Sequence, residues 1–224
     1  MSESWKPKKN LTKGDEVYAL LREDILWTVL PPNEILSEND FAERYNASRS
    51  PVRYALARAL EGGLISVKAR QGYLINSLGL ADAQEIVFLR SLLEGAAAER
   101  ASQQMRPEQV RQLRELALKD NSTDGVVDGR KLAVTNRAFH MLIAESTGNS
   151  RLMDNISRLL DDMLRVLAQV SDQRQEVEMR ERHLRIVDAI ESRDPGAARR
   201  AMFEELEASS RRIADSVALF VQAR

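Results

Sequence analysis

The chain has 224 residues, enough for one large domain or two smaller ones with separate cores. It contains no cysteine, which excludes disulfides, zinc fingers and cysteine nucleophiles. The formal charge is −1, with 11 basic and 10 acidic side chains in residues 1–77 against 22 and 24 in the remainder, so a nucleic-acid partner would have to be held by local clusters rather than by a global field. The candidate clusters are Lys6, Lys8 and Lys9, then Arg49 with Arg53, then Lys68 with Arg70. No apolar run approaches the roughly 20 residues of a membrane span, and residues 1–10 lack the apolar stretch of a signal peptide. A soluble cytoplasmic protein is expected, with no membrane partner.

In chain order, Val17, Leu20, Leu21, Ile25 and Val29 recur at helical spacing over residues 15–29. Pro31-Pro32 stops that helix. Ser37 with Asp40 three residues on predicts a capped short helix through about Tyr45, with Phe41 and Ala42 facing inward. Asn46-Ala47 makes a tight connection to a third helix over about 48–61, with Ser48 as its cap and Pro51 in its first turn. That helix buries Val52, Ala55, Leu56, Ala59 and Leu60, leaving Arg49, Ser50 and Arg53 on its N-terminal outer face. Gly62-Gly63 ends it. Residues 64–68 and 73–76 then alternate as two strands around the turn Ala69-Arg70-Gln71-Gly72. Three helices and a hairpin with a basic tip describe a winged helix-turn-helix, which sets its third helix in the major groove. Arginines suit guanine edges, and serine hydroxyls and free N–H groups at a helix start suit phosphate.

After Gly79 the pattern is all-helical, with helices near 81–105, 107–119, 129–147, 150–170, 175–192 and 195–222 and a loop from Asn121 to Gly129. Leu152, Ile156, Leu159, Leu160, Met163 and Leu167 show the spacing. Such helices with short connections predict an antiparallel bundle able to enclose a cavity. The chain's two histidines both fall here. Asn136 and His140 share a helix face with Leu132 and Ile143, and His183 leads the inward stripe of Ile186, Val187 and Ile190. Glu205 falls on or near the stripe of Ala198, Met202 and Ser209, where a carboxylate needs a partner. The residues alone also fit two core histidines bonded to neighbours and a glutamate at the rim.

The run from Tyr18 to Ile75 resembles the DNA-binding domain of GntR-family bacterial repressors. The likeness lies in Leu30-Pro31-Pro32-Asn33 with Leu36-Ser37-Glu38, in Ser48-Arg49-Ser50-Pro51-Val52-Arg53, in Ala55-Leu56 with Glu61-Gly62-Gly63-Leu64-Ile65, and in Arg70-Gln71-Gly72-Tyr73. It implies that Arg49 and Arg53 contact bases or adjacent phosphates, that Ser48 and Ser50 hold phosphate, and that Gln71-Gly72 enters the minor groove. Asn39 and Tyr54 depart from the pattern: some relatives carry arginine at the first position and many an acid at the second. Tyr54 either touches the DNA backbone or packs.

The bundle in turn resembles the ligand-binding FCD domain of the FadR-type subfamily. Many members hold a divalent metal through Asp-x-x-x-His on one helix and single histidines on two later ones. Asn136-Arg137-Ala138-Phe139-His140 matches the first element with Asn for Asp, His183 matches the second, and Glu205 stands at the third histidine's place. The turn Gly148-Asn149-Ser150-Arg151-Leu152 also fits. The resemblance implies a site for Zn²⁺, Ni²⁺ or Mn²⁺ at Asn136, His140, His183 and Glu205, a donor set suited to such ions. Without metal, Arg90, His140 and His183 would bind a carboxylate effector directly, unless Arg90 only pairs with Glu94 four residues on.

These readings give a mainly α protein: a winged helix-turn-helix over 11–77 and an FCD-type effector-binding and dimerisation domain over 80–222. The expected function is a ligand-responsive transcription regulator, as a repressor. It would bind a palindromic operator as a homodimer and sense a small organic acid or sugar acid, with residues 76–81 transmitting the change. Two rivals stand beside it: a metal-dependent enzyme on the bundle, and an architectural DNA-binding dimer without an effector.

Overall fold

The computed structural model describes residues 11–123, 126–167 and 173–222. The tail lysines Lys6, Lys8 and Lys9 therefore lie outside the described residues, as do residues 168–170 of the expected fourth bundle helix. The chain divides into two compact units, one ending at Ser77 and the other beginning at Leu78.

The first unit starts with α1 (Lys13–Leu26), two residues earlier than the apolar spacing indicates. Thr12 sets this start: it accepts from the Asp15 amide while the Asp15 carboxylate accepts from the Thr12 amide. The helix also ends early, so Val29 is exposed beyond it, and Leu20 faces solvent rather than the core. The second helix, α2 (Glu38–Arg44), begins at the reciprocal cap of Ser37 and Asp40 expected from their spacing. Next, α3 (Arg49–Glu61) follows Asn46, whose φ of 44° makes the tight connection, and ends at Gly62. Ser48 occupies the cap position without a side-chain cap bond. Val17, Leu21 and Ile25 of α1, Phe41 of α2, and Val52, Ala55, Leu56 and Ala59 of α3 form one core with Leu64, Ile65 and Ile75.

The sheet has one strand more than the expected hairpin. Strand β1 (Ile35–Leu36) joins β2 (Ile65–Lys68) and β3 (Gly72–Ile75) in the antiparallel order β1-β3-β2. Two residues between prolines and a helix cap carry no strand periodicity, so only the pairing of Ile35 with Leu74 and Leu36 with Tyr73 reveals β1. This pairing fixes Gly72, which has φ of 123° and faces the Leu36 carbonyl so closely that a Cβ would collide with it.

The second unit comprises α4 (Leu80–Gln104), α5 (Pro107–Leu118), α6 (Gly129–Ser146), α7 (Ser150–Leu167), α8 (Gln173–Glu191) and α9 (Pro195–Gln222). A short antiparallel pair, β4 (Ser122–Thr123) and β5 (Val126–Val127), interrupts the expected loop between α5 and α6. Helices α4 and α9 run antiparallel. Arg193, before α9, donates to the Ser102 and Met105 carbonyls at the end of α4, and Arg199 pairs with Glu99 one turn earlier. The core combines Ala97, Ala98 and Ala101 of α4, Leu113 of α5, Phe139 and Ile143 of α6, Ile156 of α7, Ile186 and Ile190 of α8, and Met202 of α9. Among the described residues, no helix is long and apolar enough to cross a membrane.

Candidate functional site

Two groups of predicted residues sit in different units. On α3, Ser48, Arg49, Ser50 and Arg53 are all exposed, and the opposite face of the same helix is buried. Arg49 and Arg53 are one turn apart and share a face. Arg53 is also braced: its Nε donates to Glu38 Oε2 on α2 at 2.9 Å, and the Tyr73 hydroxyl lies 3.4 Å from Glu38 Oε1. Because Ser48 makes no cap bond, its hydroxyl is available to an outside acceptor. At the wing, Lys68, Ala69, Arg70 and Gln71 are exposed, and Arg70 turns the chain with φ of 64°. Gly72 is half-buried in β3, so it shapes the tip while Arg70 and Gln71 present it. The Tyr54 hydroxyl donates to Asp15 at 3.2 Å and its ring covers Gly14, a packing role on α1. Arg58 joins that corner through Asp15 at 2.8 Å and lies over the Tyr18 ring at 4.0 Å. Asn39 is exposed on α2.

In the bundle, His140, His183 and Glu205 come together from α6, α8 and α9, and their potential ligand atoms all lie within 4.8 Å of one another. All three are at most 3% exposed. Asn136 is one turn before His140 on α6, half-buried overall but with Oδ1 fully enclosed. The apolar periodicity of each helix carries these groups inward: Leu132 and Ile143 flank His140, while Ile186 and Ile190 follow His183. The Phe139 ring stacks on the His183 ring at 3.9 Å and holds it nearly parallel.

Charged neighbours surround the cluster. Arg90 Nε donates to Glu94 Oε1 at 2.6 Å, and Glu94 Oε2 lies 2.5 Å from His140 Nδ1. Arg90 and Glu94 are 2% and 1% exposed, so the pair spacing seen in the sequence becomes a fully buried ion pair. Burial alone would push the Glu94 carboxyl up, but the charges of Arg90 and His140 and their hydrogen bonds overcome it and hold the carboxyl down at about 2. With Nδ1 turned to Glu94, the remaining ring nitrogen of His140 is Nε2, the arrangement in which a carboxylate orients a ligating imidazole. Across the cluster, Arg182 Nε donates to Glu205 Oε2 at 2.6 Å. This is the partner the sequence demanded for a buried Glu205. Among the described residues, Asn136 Oδ1, His140 Nε2, Arg90 Nη2 and Arg182 Nη2 are buried and make no hydrogen bond.

Such orphaned atoms are rare in protein interiors and mark a place for a missing partner. The donor set suits a divalent ion: two imidazoles and a carboxylate whose potential ligand atoms lie within 4.8 Å of one another, with an enclosed amide oxygen one helical turn from His140. Arg182 acts against it, since its guanidinium already neutralises Glu205. The groove between α5 and α6, about 630 Å³ and lined by Glu115, Leu116, Lys119, Arg137, Met141 and Glu145 among others, contains none of the predicted site residues.

Comparison with known proteins connects the two groups. Residues 13–75 match the profile of bacterial regulatory proteins of the gntR family, and residues 85–208, more than half of the chain, match the FCD domain. The chain belongs to the GntR family of bacterial transcription regulators, in the group that carries an FCD domain. A similar curated protein is the HTH-type transcriptional repressor RspR of Escherichia coli, 29% identical over 201 residues that cover 87% of this chain and 86% of RspR. Another is a probable D-xylose utilization operon transcriptional repressor of Paenarthrobacter nicotinovorans, 29% identical over 80% of this chain and 79% of the relative. In fold, E. coli McbR/YncC superposes with a TM-score of 0.78 at 22% identity, covering 92% of this chain and 99% of McbR. A putative GntR regulator from Rhodococcus sp. RHA1 gives 0.73 at 22% identity, covering 91% and 98%.

As a GntR-family member the chain is a transcription regulator and not an enzyme, which removes the metalloenzyme rival. Its FCD cluster contains two residues that sequence reasoning left out of the site. Arg182 was legible, because it stands four residues before Ile186 on the buried stripe of α8. The bridge from Glu94 to His140 was not, since only the packing of α4 on α6 brings residues 94 and 140 together.

The ion pair yields a measurable expectation. Glu94→Gln keeps the side-chain size but leaves the Arg90 guanidinium buried without a counter-charge. Urea denaturation of the full chain should show the bundle destabilised by roughly 3–5 kcal/mol. A loss below about 1 kcal/mol would mean that Arg90 is not held by Glu94 in solution.

Proposed function

We propose that the protein is a ligand-responsive repressor that binds a palindromic operator as a homodimer. Residues 11–77 act as the DNA-binding domain and 80–222 as the effector-binding and dimerisation domain, acting in the cytoplasm where the operator lies. Ser48, Arg49, Ser50 and Arg53 meet the major groove and its phosphates, while Gln71 and Gly72 bring the wing to the minor groove. This assignment is supported by an α3 whose outer face is polar and exposed at its N-terminus.

The effector in this proposal is a small carboxylate or sugar acid bound by Arg90, His140 and His183. One observation carries it: a bundle interior with enclosed, unbonded Asn136 Oδ1, His140 Nε2 and Arg90 Nη2 is incomplete without a polar guest. A carboxylate supplies acceptors for Arg90 and the imidazoles. A bound divalent metal (Zn²⁺, Ni²⁺ or Mn²⁺) would be held by Asn136, His140, His183 and Glu205, and would supply a positive centre for that carboxylate. Effector binding then favours one dimer geometry, changes the half-site spacing and alters operator affinity.

A thermal-shift screen of carboxylic and sugar acids, with and without Zn²⁺ or Ni²⁺, tests the pocket. A true guest at a hundredfold its dissociation constant adds about 2.7 kcal/mol and raises the melting temperature. A rise with metal alone that His140→Ala abolishes supports the metal reading, and a rise with acid alone supports direct binding. No rise with any acid or metal would refute a binding pocket. For the head, Arg49→Ala should cost roughly 1–3 kcal/mol on the operator and relax sequence preference. An equal loss on random DNA would make Arg49 a phosphate contact.

A further inference from the structure

The charges enclosed at the cluster cancel in pairs before any guest arrives. Arg90 meets Glu94 at 2.6 Å, and Arg182 meets Glu205 at the same distance. Among Asn136, His140, His183 and Glu205, the residues able to ligate an ion, Glu205 is the one anion, and Arg182 already holds it. The Arg182 side chain is only 13% exposed, so water screens this pair little. A second acid near it is weaker: Glu178, one turn back on α8, lies 3.7 Å from Nη1 and is 43% exposed.

The unbonded atoms around the cluster also divide by sign. Arg90 Nη2 and Arg182 Nη2 are buried donors with no acceptor among the described residues. Both belong to guanidiniums, which stay charged and can only donate. A divalent ion among the imidazoles leaves both donors unmet and sets its charge against theirs. It must also draw on a carboxylate whose charge Arg182 has neutralised. A carboxylate guest does the reverse, because its oxygens accept from such donors in short, charge-assisted bonds.

Resting on the carboxylate effector proposed above, we infer that Arg182 takes the place of a metal ion in this pocket. Its Nε neutralises Glu205, and its Nη2 receives the acid group of the guest. The positive centre that holds the acid is then a permanent part of the chain, so the response does not depend on metal supply. Arg182 and a divalent ion compete for one carboxylate, and loss of the guanidinium converts an acid-binding pocket into a better metal site.

Two affinities should therefore move in opposite directions. Full-length protein without a histidine tag is stripped of metal on a chelating resin. Thermal shift and calorimetry then measure its binding of Zn²⁺ and, separately, of lactate, malate, citrate, gluconate and glucuronate. Stripped wild type should bind at least one of these acids, and added Zn²⁺ should not be needed. Arg182→Met should weaken that acid at least about tenfold, the loss of one hydrogen bond to a charged group. The same variant should bind Zn²⁺ at least about tenfold more tightly than wild type, the scale on which a ligand's outer partner alters metal affinity. Arg182→Lys should restore part of the acid binding. A purely structural role for Arg182 would weaken both affinities together. Since Arg182→Met leaves Glu205 buried without a counter-charge, the double variant Arg182→Met with Glu205→His supplies a pocket with no stranded acid, and it too should gain Zn²⁺ affinity. Variants that bind Zn²⁺ no better than wild type, or a wild type that answers to acid only with Zn²⁺, overturn the role of Arg182 and leave the carboxylate effector standing. A wild type that binds none of the acids, with or without Zn²⁺, overturns that effector instead.

Discussion

Glu94 sits between the guanidinium of Arg90 and the imidazole of His140, deep in the helical bundle, and the polar interior of the second unit is organised around that carboxylate. A buried charge is tolerated only when it is paired, so α4 cannot carry Glu94 inward without Arg90 beside it and His140 delivered by α6. The same requirement operates on the other side of the cluster, where α9 brings Glu205 and α8 supplies Arg182. Two ion pairs on α4, α8 and α9, with His140 supplied by α6, thus surround two imidazoles whose rings are 5.4 Å apart. An all-apolar core would pack these helices at lower cost, and the polar alternative is what a binding pocket requires.

The first unit follows the opposite logic. Its core is apolar throughout, and its charges sit outside, held by short bonds between neighbouring helices. Arg53 leans on Glu38 of α2, Arg44 on Asp24 and Arg58 on Asp15 of α1. Such exposed pairs add little stability, but they limit the rotamers of the arginines that make them. Gly72 contributes through the backbone, letting β3 approach β1 and aiming the wing turn.

The helices of both units were legible in the sequence because each shows apolar residues at three and four spacing between clear stops, such as Pro31-Pro32, Gly62-Gly63 and Asp194-Pro195. Caps written in adjacent residues are legible in part: Ser37 with Asp40 directly precedes an apolar pattern, while Thr12 with Asp15 stands apart from one, since the apolar spacing begins only at Val17. Strands β1, β4 and β5 were invisible, since two residues each carry no period and exist only through their partners. At the site, the inward direction of His140 and His183 could be read from Ile143 and Ile186, and the need of Glu205 for a partner followed from its place among buried positions. The partners' identities could not be read in full. Which carboxylate meets which imidazole depends on how four helices are rotated about their axes, and no local spacing records that.

In the proposed mechanism the polar cluster of the bundle controls operator affinity. Its most direct test is an anisotropy titration of an operator selected from random DNA, with and without a saturating acid found by thermal shift, in wild type and His140→Ala. An effector-driven change of at least about fivefold is expected in wild type, the lower end of ordinary allosteric coupling. In the variant the change should vanish while effector-free affinity is kept. An equal effector response in both proteins would contradict it.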